Sequence, residues 1–260
     1  MSQILPRDVS PRNVSPRNGE GGVLPAPDEK RAFVRALFDG VAPRYDLLNS
    51  LLSFRLHHRW RRAAAGHAHL APGGVALDVC TGTADLALEL ARRVGPGGRV
   101  IGGDFSLPML CLGRQKIRRR GAGGFVSLAL ADALRLPFPD NAFDAATVGF
   151  GIRNVADVEA GIREMARVVR PGGRVVLLEF SQPRNPLFAR LYRWYSFRVM
   201  PWLGGLISGR RWAYEYLPSS VEAFHTREQL AEMMRRAGLG DIRVADLNFG
   251  TVAIHCGVKR

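Results

Sequence analysis

Two apolar segments near the C-terminus, DIRVADL (241–247) and TVAIHCGV (251–258), are joined by only Asn248-Phe249-Gly250. A parallel strand pair needs a crossover of about a dozen residues, so these two must form an antiparallel hairpin. Everything between Pro72 and this hairpin reads differently. VALDVC, GRVIGGD, FVSLALAD, FDAATVGF and PGGRVVLLEF are strand-like apolar runs. DLALELARRV, SLPMLCLGRQKIRRR and VEAGIREMARVV fall among them at helical spacing. Strands alternating with helices give a parallel sheet with crossovers. The fold class is therefore α/β: a doubly wound, mostly parallel sheet finished by an antiparallel C-terminal hairpin. Upstream, DEKRAFVRALFDGV places Phe33, Val34, Leu37 and Phe38 at helical spacing, with acids expected in its first turn. APRYDLLNSLLSF and RLHHRWRRAAAGH continue as helices interrupted at Pro43 and near Ser53, forming an N-terminal lid.

Residues 1–28 stand apart from this domain, which spans 29–260. PRDVS, PRNVS and PRNGE form a five-residue repeat. Recurrent proline prevents regular hydrogen bonding, and few apolar groups offset the entropy of ordering, so a disordered tail is expected. Deleting it should leave the domain's chemistry intact. No apolar leader and no span of about 18 apolar residues occurs, so neither a signal peptide nor a membrane helix is predicted. Cys80, Cys111 and Cys256 are too scattered for a zinc framework and suit a reducing cytoplasm. The charge is unusual: 37 basic against 23 acidic residues gives +14, and all but three of the basic residues are arginine. Codon bias accounts for arginine over lysine but not for the excess over acid, which points to an anionic partner.

The first strand runs into Asp78-Val79-Cys80-Thr81-Gly82-Thr83-Ala84-Asp85 and then a helix. A strand-to-helix turn at the switch point is where a doubly wound sheet binds nucleotides. The dinucleotide pattern GxGxxG is not met, since Thr81 and Asp85 stand at its first and third glycine positions. An acid at that mouth repels pyrophosphate but tolerates a zwitterionic or cationic ligand. Asp104 ends the second strand, 22 residues after Gly82, where an acid accepts bonds from ribose hydroxyls. Asp132, followed by Ala133, ends the third, where a carboxylate can accept from an adenine amino group. Gly82, Thr83, Asp104, Asp132 and Ala133 are the candidate cofactor residues.

These motifs, together with LRLPFPDNAFDAATVGFGIRNVAD (134–157), FDGVAPRYDLLNSLLSF and YEYLPSS, resemble the ubiquinone/menaquinone biosynthesis C-methyltransferases, a group of class I (Rossmann-like) methyltransferases. The resemblance covers residues 29–260. It implies methyl transfer from S-adenosylmethionine to a ring carbon of a prenylated quinol, with demethylmenaquinol expected and a methoxybenzoquinol of ubiquinone synthesis as the alternative. It implies a quinol partner and no nucleic acid. Gly149 departs from the serine some members carry before FG(I/L)RN, Thr81 from the usual Cys or Gly, and His225 from a usual Pro.

Such chemistry needs a phenolate, whose charge reaches the ortho carbon that attacks the sulfonium methyl. The sulfonium carries its own leaving group, so no metal is required. Arg153, beside the cofactor edge in GFGIRN, is the candidate to stabilise the oxyanion. Asn154 either orients a ring oxygen or caps the following helix. Tyr45 and Asp46 in the lid complete the catalytic candidates, Asp46 as a base whose pKa a lipid substrate would raise by desolvation. His57 and His58 are lesser candidates, and Tyr214 reaches the quinol or simply packs. From Ser181 to Arg211 there is no acid, while Arg184, Arg190, Arg193, Arg198, Arg210 and Arg211 alternate with six aromatics. That stretch suits a membrane headgroup zone, an RNA platform, or a lid helix packed on the core. The expectation is a cytoplasmic protein, peripheral at a membrane. An RNA methyltransferase or a non-catalytic binding protein are the alternatives of another class.

Overall fold

A computed structural model describes residues 24–25, 29–208 and 211–260. The tail read over residues 1–28 falls, apart from 24–25, outside the described residues, as do Arg210 and the Arg211 side chain. The lid helices are α1 (Lys30–Val41), α2 (Tyr45–Leu52) and α3 (Leu56–His67). Then β1 (Val75–Val79), α4 (Asp85–Val94), β2 (Arg99–Asp104), α5 (Leu107–Arg119), β3 (Val126–Leu130), β4 (Phe143–Gly149), α6 (Val158–Val168) and β5 (Val169–Phe180) alternate as expected. After β5 the chain forms α7 (Pro186–Trp194), a π-helical turn (Tyr195–Val199), α8 (Met200–Ser208), α9 (Arg211–Glu222) and α10 (Arg227–Arg236). It closes with β6 (Leu239–Leu247) and β7 (Val252–Lys259).

The seven strands form one sheet in the order β3-β2-β1-β4-β5-β7-β6. β1 pairs in parallel with both β2 and β4, so the strand order reverses beside it. β7 is antiparallel to both β5 and β6, as the three-residue link requires. Two apolar clusters cover the two faces. Trp60, Leu90, Val94 and Ile254 pack in one, and Leu77, Ile162, Met165 and Met234 in the other. A third cluster lies in the lid, where Phe33, Leu37 and Leu48 meet Met200, Tyr214 and Tyr216.

Local signals explain the helix starts. Ser106 caps α5, and Thr226 with Gln229 forms a capping box on α10. The Asp157 carboxylate accepts from Ala160 N–H at 2.9 Å and caps α6. Asn154 is therefore not that cap, which corrects one of its two readings. α1 begins at Lys30, so Glu29 precedes its first turn and makes no side-chain cap bond.

Candidate active site

The turn after β1 is held in an uncommon conformation. Cys80, Gly82 and Ala84 have φ of 54°, 55° and 67°. Only one of the three is glycine, and a left-handed non-glycine residue costs about 1–3 kcal/mol. The neighbours enforce the shape. Buried Asp78 accepts from the hydroxyls of Thr81 (2.7 Å) and Thr147 (2.8 Å). Asp104 at the end of β2 accepts from Gly82 N–H at 2.8 Å and from Ser106 N–H at 2.9 Å. Burial raises the Asp104 carboxyl, and those N–H bonds oppose the rise.

Gly82, Asp104, Asp132 and Ala133 line one cleft with Phe38, Tyr45, Phe150 and Asn154. Four of the five cofactor candidates thus converge, and their donor set fits a cationic nucleoside. The Asp104 carboxylate ends β2, whereas Asp132 lies two residues past the end of β3, bridged to Arg135, and not on the strand as expected; Asn154 Nδ2 on the cleft wall is buried without a hydrogen-bond partner. The free volume is about 70 Å³, too small for such a ligand. α1 closes the cleft: Arg31 pairs with Asp132 at 2.9 Å, Arg35 donates to Phe105 O, and Asp39 accepts from Ser106 Oγ. Of these groups Arg31, Phe105 and Asp132 line the cleft itself, so α1 holds it narrow.

Thr83 and Asp46 are elsewhere than expected. Thr83 is buried but donates its hydroxyl to Asp46 Oδ1 at 2.7 Å and accepts from Lys116 Nζ at 2.9 Å. Asp46 also pairs with Lys116 at 2.7 Å and keeps 46% of its side chain exposed. It lines neither the cleft nor the apolar chamber beside it. The desolvated base expected there is instead a latch from the lid to the β1–α4 turn. Asp85 is also corrected: Lys116 binds it at 2.7 Å and Arg61 stands 4.0 Å away. Burial alone would raise its carboxyl, but Arg61 and Lys116 outweigh this and hold it below the usual range. Its charge is neutralised away from the cleft, so the repulsion argued for pyrophosphate does not come from Asp85.

Behind Tyr45 and Phe150 the cleft meets the apolar chamber, lined by Leu37, Phe38, Trp60, Phe180, Tyr192, Met200 and Tyr214 among others. Phe38, Tyr45 and Phe150 line both spaces. The charged residues of the chamber wall are Arg61 and Arg153, with no carboxylate among its lining residues. Arg153 is buried: Nη1 donates to Glu179 Oε1 at 2.6 Å and to Phe150 O at 2.7 Å. The guanidinium also lies 5.3 Å from the Phe180 ring centroid. Burial pushes the Glu179 carboxyl up, while Arg153 pulls it down. Burial likewise raises Tyr45, so at neutral pH its hydroxyl is a donor and not a base. Asn154 accepts from the Tyr216 hydroxyl at 3.1 Å, which fixes its amide. Tyr214 packs over Gly204 and lines the chamber. The chamber continues past Phe180, Tyr192, Met200 and Leu217 into an open groove of about 620 Å³ between α7 and α9.

His57 faces the chamber, but its chemistry is already committed. Arg61 Nη1 donates to Nδ1, so Nε2 carries the proton, with Ser50 Oγ at 3.1 Å. Burial, then Arg61, pushes its pKa down to about 3. It is neutral and makes a poor base. Linkage gives a test. The unfolded histidine protonates near 6.5 and the native one near 3, so stability is full above about pH 6.5 and declines as pH falls toward 3. Denaturant melts at pH 7 and pH 5 should show a smaller loss in His57→Gln than in the parent. An equal loss would locate the acid sensitivity elsewhere.

Sequence reasoning missed Lys116, Arg61, Arg31 and Glu179. Lys116 carried one signal, being one of three lysines among 37 basic residues. Glu179 carried another, as a lone acid inside the apolar run VVLLEF.

Sheet order, C-terminal hairpin and a nucleoside-suited cleft at the reversal define a class I S-adenosylmethionine-dependent methyltransferase. A crystal structure of a SAM-dependent methyltransferase from Aquifex aeolicus shares the fold, with a TM-score of 0.59 and 17% identity over 79% of this chain and 93% of that one. Within that class the chain belongs to the ubiE/COQ5 methyltransferase family, which it matches over residues 26–259. It is 53% identical over 222 residues to a demethylmenaquinone methyltransferase of Thermus thermophilus, covering 85% of this chain and 99% of that protein. It is 46% identical over 231 residues to the ubiquinone/menaquinone biosynthesis C-methyltransferase UbiE of Geobacter sulfurreducens, covering 89% and 90%.

Proposed function

We propose that this enzyme transfers the methyl group of S-adenosylmethionine to a ring carbon of demethylmenaquinol, giving menaquinol, and that it works at a membrane surface. One observation carries the reading. A nucleoside-suited cleft opens, past Tyr45 and Phe150, into an apolar chamber whose wall holds two guanidiniums and no carboxylate. Each guanidinium is matched by an acid behind the wall, Arg153 by Glu179 and Arg61 by Asp85, so what a lipid quinol ring meets there is oriented N–H donors, which favour the phenolate by hydrogen bonding.

Gly82, Asp104, Asp132 and Ala133 would hold the methyl donor, which supplies an electrophilic methyl and a neutral leaving group. Thr83 supports the turn through Asp46 and Lys116. The aromatic walls exclude water and hold the ring against the cleft, where in-line approach to about 3 Å is needed. Arg153, oriented by Glu179, stabilises the phenolate; the hydroxyl proton leaves to solvent through the open groove, and after methyl transfer the ring-carbon proton is lost as the hydroxyl is restored, so the net products are the thioether, the methylated quinol and one proton. The Tyr45 hydroxyl and the free Asn154 amide donate to ring oxygens. The prenyl tail leaves through the groove between α7 and α9. Among the described residues, no helix is long and apolar enough to cross a membrane.

Labelled S-adenosylmethionine should be offered with reduced prenylated naphthoquinol, with reduced prenylated methoxybenzoquinol and with RNA. Label in the naphthoquinol is the expected result. Label only in the benzoquinol would move the assignment to ubiquinone synthesis, and label in RNA would overturn it.

A further inference from the structure

The long helical arm from α7 to α8 exposes an apolar stripe. Leu187, Leu191, Trp194, Trp202 and Leu206 are 59 to 77% exposed, and α7 buries no residue fully. The stripe depends on the π-helical turn. In a regular helix the eight-residue step from Trp194 to Trp202 would swing the side chain about 80° off line. A π turn absorbs an extra residue, so that step becomes close to two turns and the stripe stays on one face.

Two loop tips extend this face. Phe54 lies 6.2 Å from the Tyr195 ring, and Phe249 lies 5.2 Å from the Phe188 ring. Phe54 is 73% exposed at φ 49° and Phe249 is 82% exposed at φ 57°. Left-handed backbone is unfavourable for phenylalanine, and folding gains little from a ring in water. Both positions therefore accept strain to present an aromatic outward. The charge carried by the segment itself has one sign. Between 181 and 208 there are four arginines and no acid. Arg184 and Arg193 pair with Asp246 and Glu222, whereas exposed Arg190 and Arg198 pair with no acid among the described residues.

We infer that this face, made of the α7–α8 stripe with Phe54 and Phe249, docks on an anionic lipid bilayer. Apolar and indole side chains enter the headgroup boundary while the flanking guanidiniums meet lipid phosphates. The inference rests on the lipid-substrate reading and deepens it. The helix that carries the stripe also walls the groove, so a prenylated substrate would pass from bilayer to chamber along one element.

Vesicles of phosphatidylcholine, alone or mixed with phosphatidylglycerol, test this with the full chain in sedimentation. The protein should pellet with the mixed vesicles and less so as salt rises. The triple variant Leu187→Gln, Trp194→Gln, Trp202→Gln should lose about tenfold or more in partitioning. The double variant Phe54→Asn, Phe249→Asn should also bind more weakly, while its Tm holds or rises because asparagine tolerates positive φ. Parent-like vesicle binding by either variant would overturn the inference. So would equal binding of the parent to neutral vesicles, or a parental dimer that the triple variant dissolves. No quinol or methyl donor is present in this assay. Methyl transfer to a short-chain quinol in detergent tests the enzymatic reading separately.

Discussion

Arg153→Met should slow turnover by the equivalent of about 2.7–4 kcal/mol in activation free energy, the range for losing an oxyanion donor, and should also destabilise the fold. The second effect follows from Glu179. Its carboxylate is 1% exposed and meets Arg153 at 2.6 Å, so removing the guanidinium leaves a buried acid unpaired. Breaking such a pair costs about 3–5 kcal/mol, a large share of a typical domain's stability. The two effects separate in the double variant Arg153→Met, Glu179→Gln. The neutral glutamine removes the unpaired charge, so denaturant stability should recover, while single-turnover rates with chemically reduced quinol should stay low. Arg153→Lys keeps the charge and one donor nitrogen for Glu179 and Phe150 O, both of which Nη1 serves, but loses the second donor Nε and the planar group, so it should retain part of the rate. If the double variant regains near-normal turnover, Arg153 only supports the sheet edge, and the catalytic assignment fails.

Asp104→Ala should weaken binding of S-adenosylmethionine by roughly ten- to hundredfold, as loss of charge-assisted bonds of about 1.5–3 kcal/mol implies. Its two oxygens already tie down Gly82 N–H and Ser106 N–H, so alanine also frees the turn that shapes the cleft. Asp104→Asn keeps one acceptor and should fall between the two. Titration calorimetry separates the contributions. Equal, small losses in both variants would mean that the carboxylate serves the turn and not the ribose.

The parts of this molecule that could be read from its sequence are those fixed by neighbours along the chain. A three-residue link forces an antiparallel hairpin wherever the strands end up, and acids at successive strand ends must share one sheet edge. The chain's own long-range pairings could not be read. Asp46 and Lys116 are 70 residues apart, and nothing in YDLLN says which helix will face that carboxylate. The sequence alone presents Asp46 as a lid carboxylate that a lipid substrate would desolvate, whereas the structure ties it to Thr83 and Lys116. Asp85 looked like a bare charge at the cleft mouth because its partners, Arg61 and Lys116, come from other helices. Arg153 is legible beside the end of the fourth strand, but its anchor Glu179 is hidden within the apolar strand VVLLEF. The π-helical turn has no sequence signature of its own, and only the eight-residue step between two exposed tryptophans fits it.

The place of β7 in the sheet also bears on how the chain reaches its native state. Synthesised after the other described strands, it nonetheless occupies an interior position, with β5 on one side and β6 on the other. Until it inserts, β5 presents Val175, Val176, Leu177 and Leu178, all fully buried in the finished protein, along an unpaired edge. An apolar edge of that kind invites pairing with other chains. Closing it requires contacts between segments about 80 residues apart, which is slow relative to local helix formation. On the ribosome, the half of the sheet that builds the methyl-donor cleft is complete while this flank is still open. Aggregation during expression should therefore track the pairing of β7 with β5, and substitutions that speed the β6–β7 turn should improve yield.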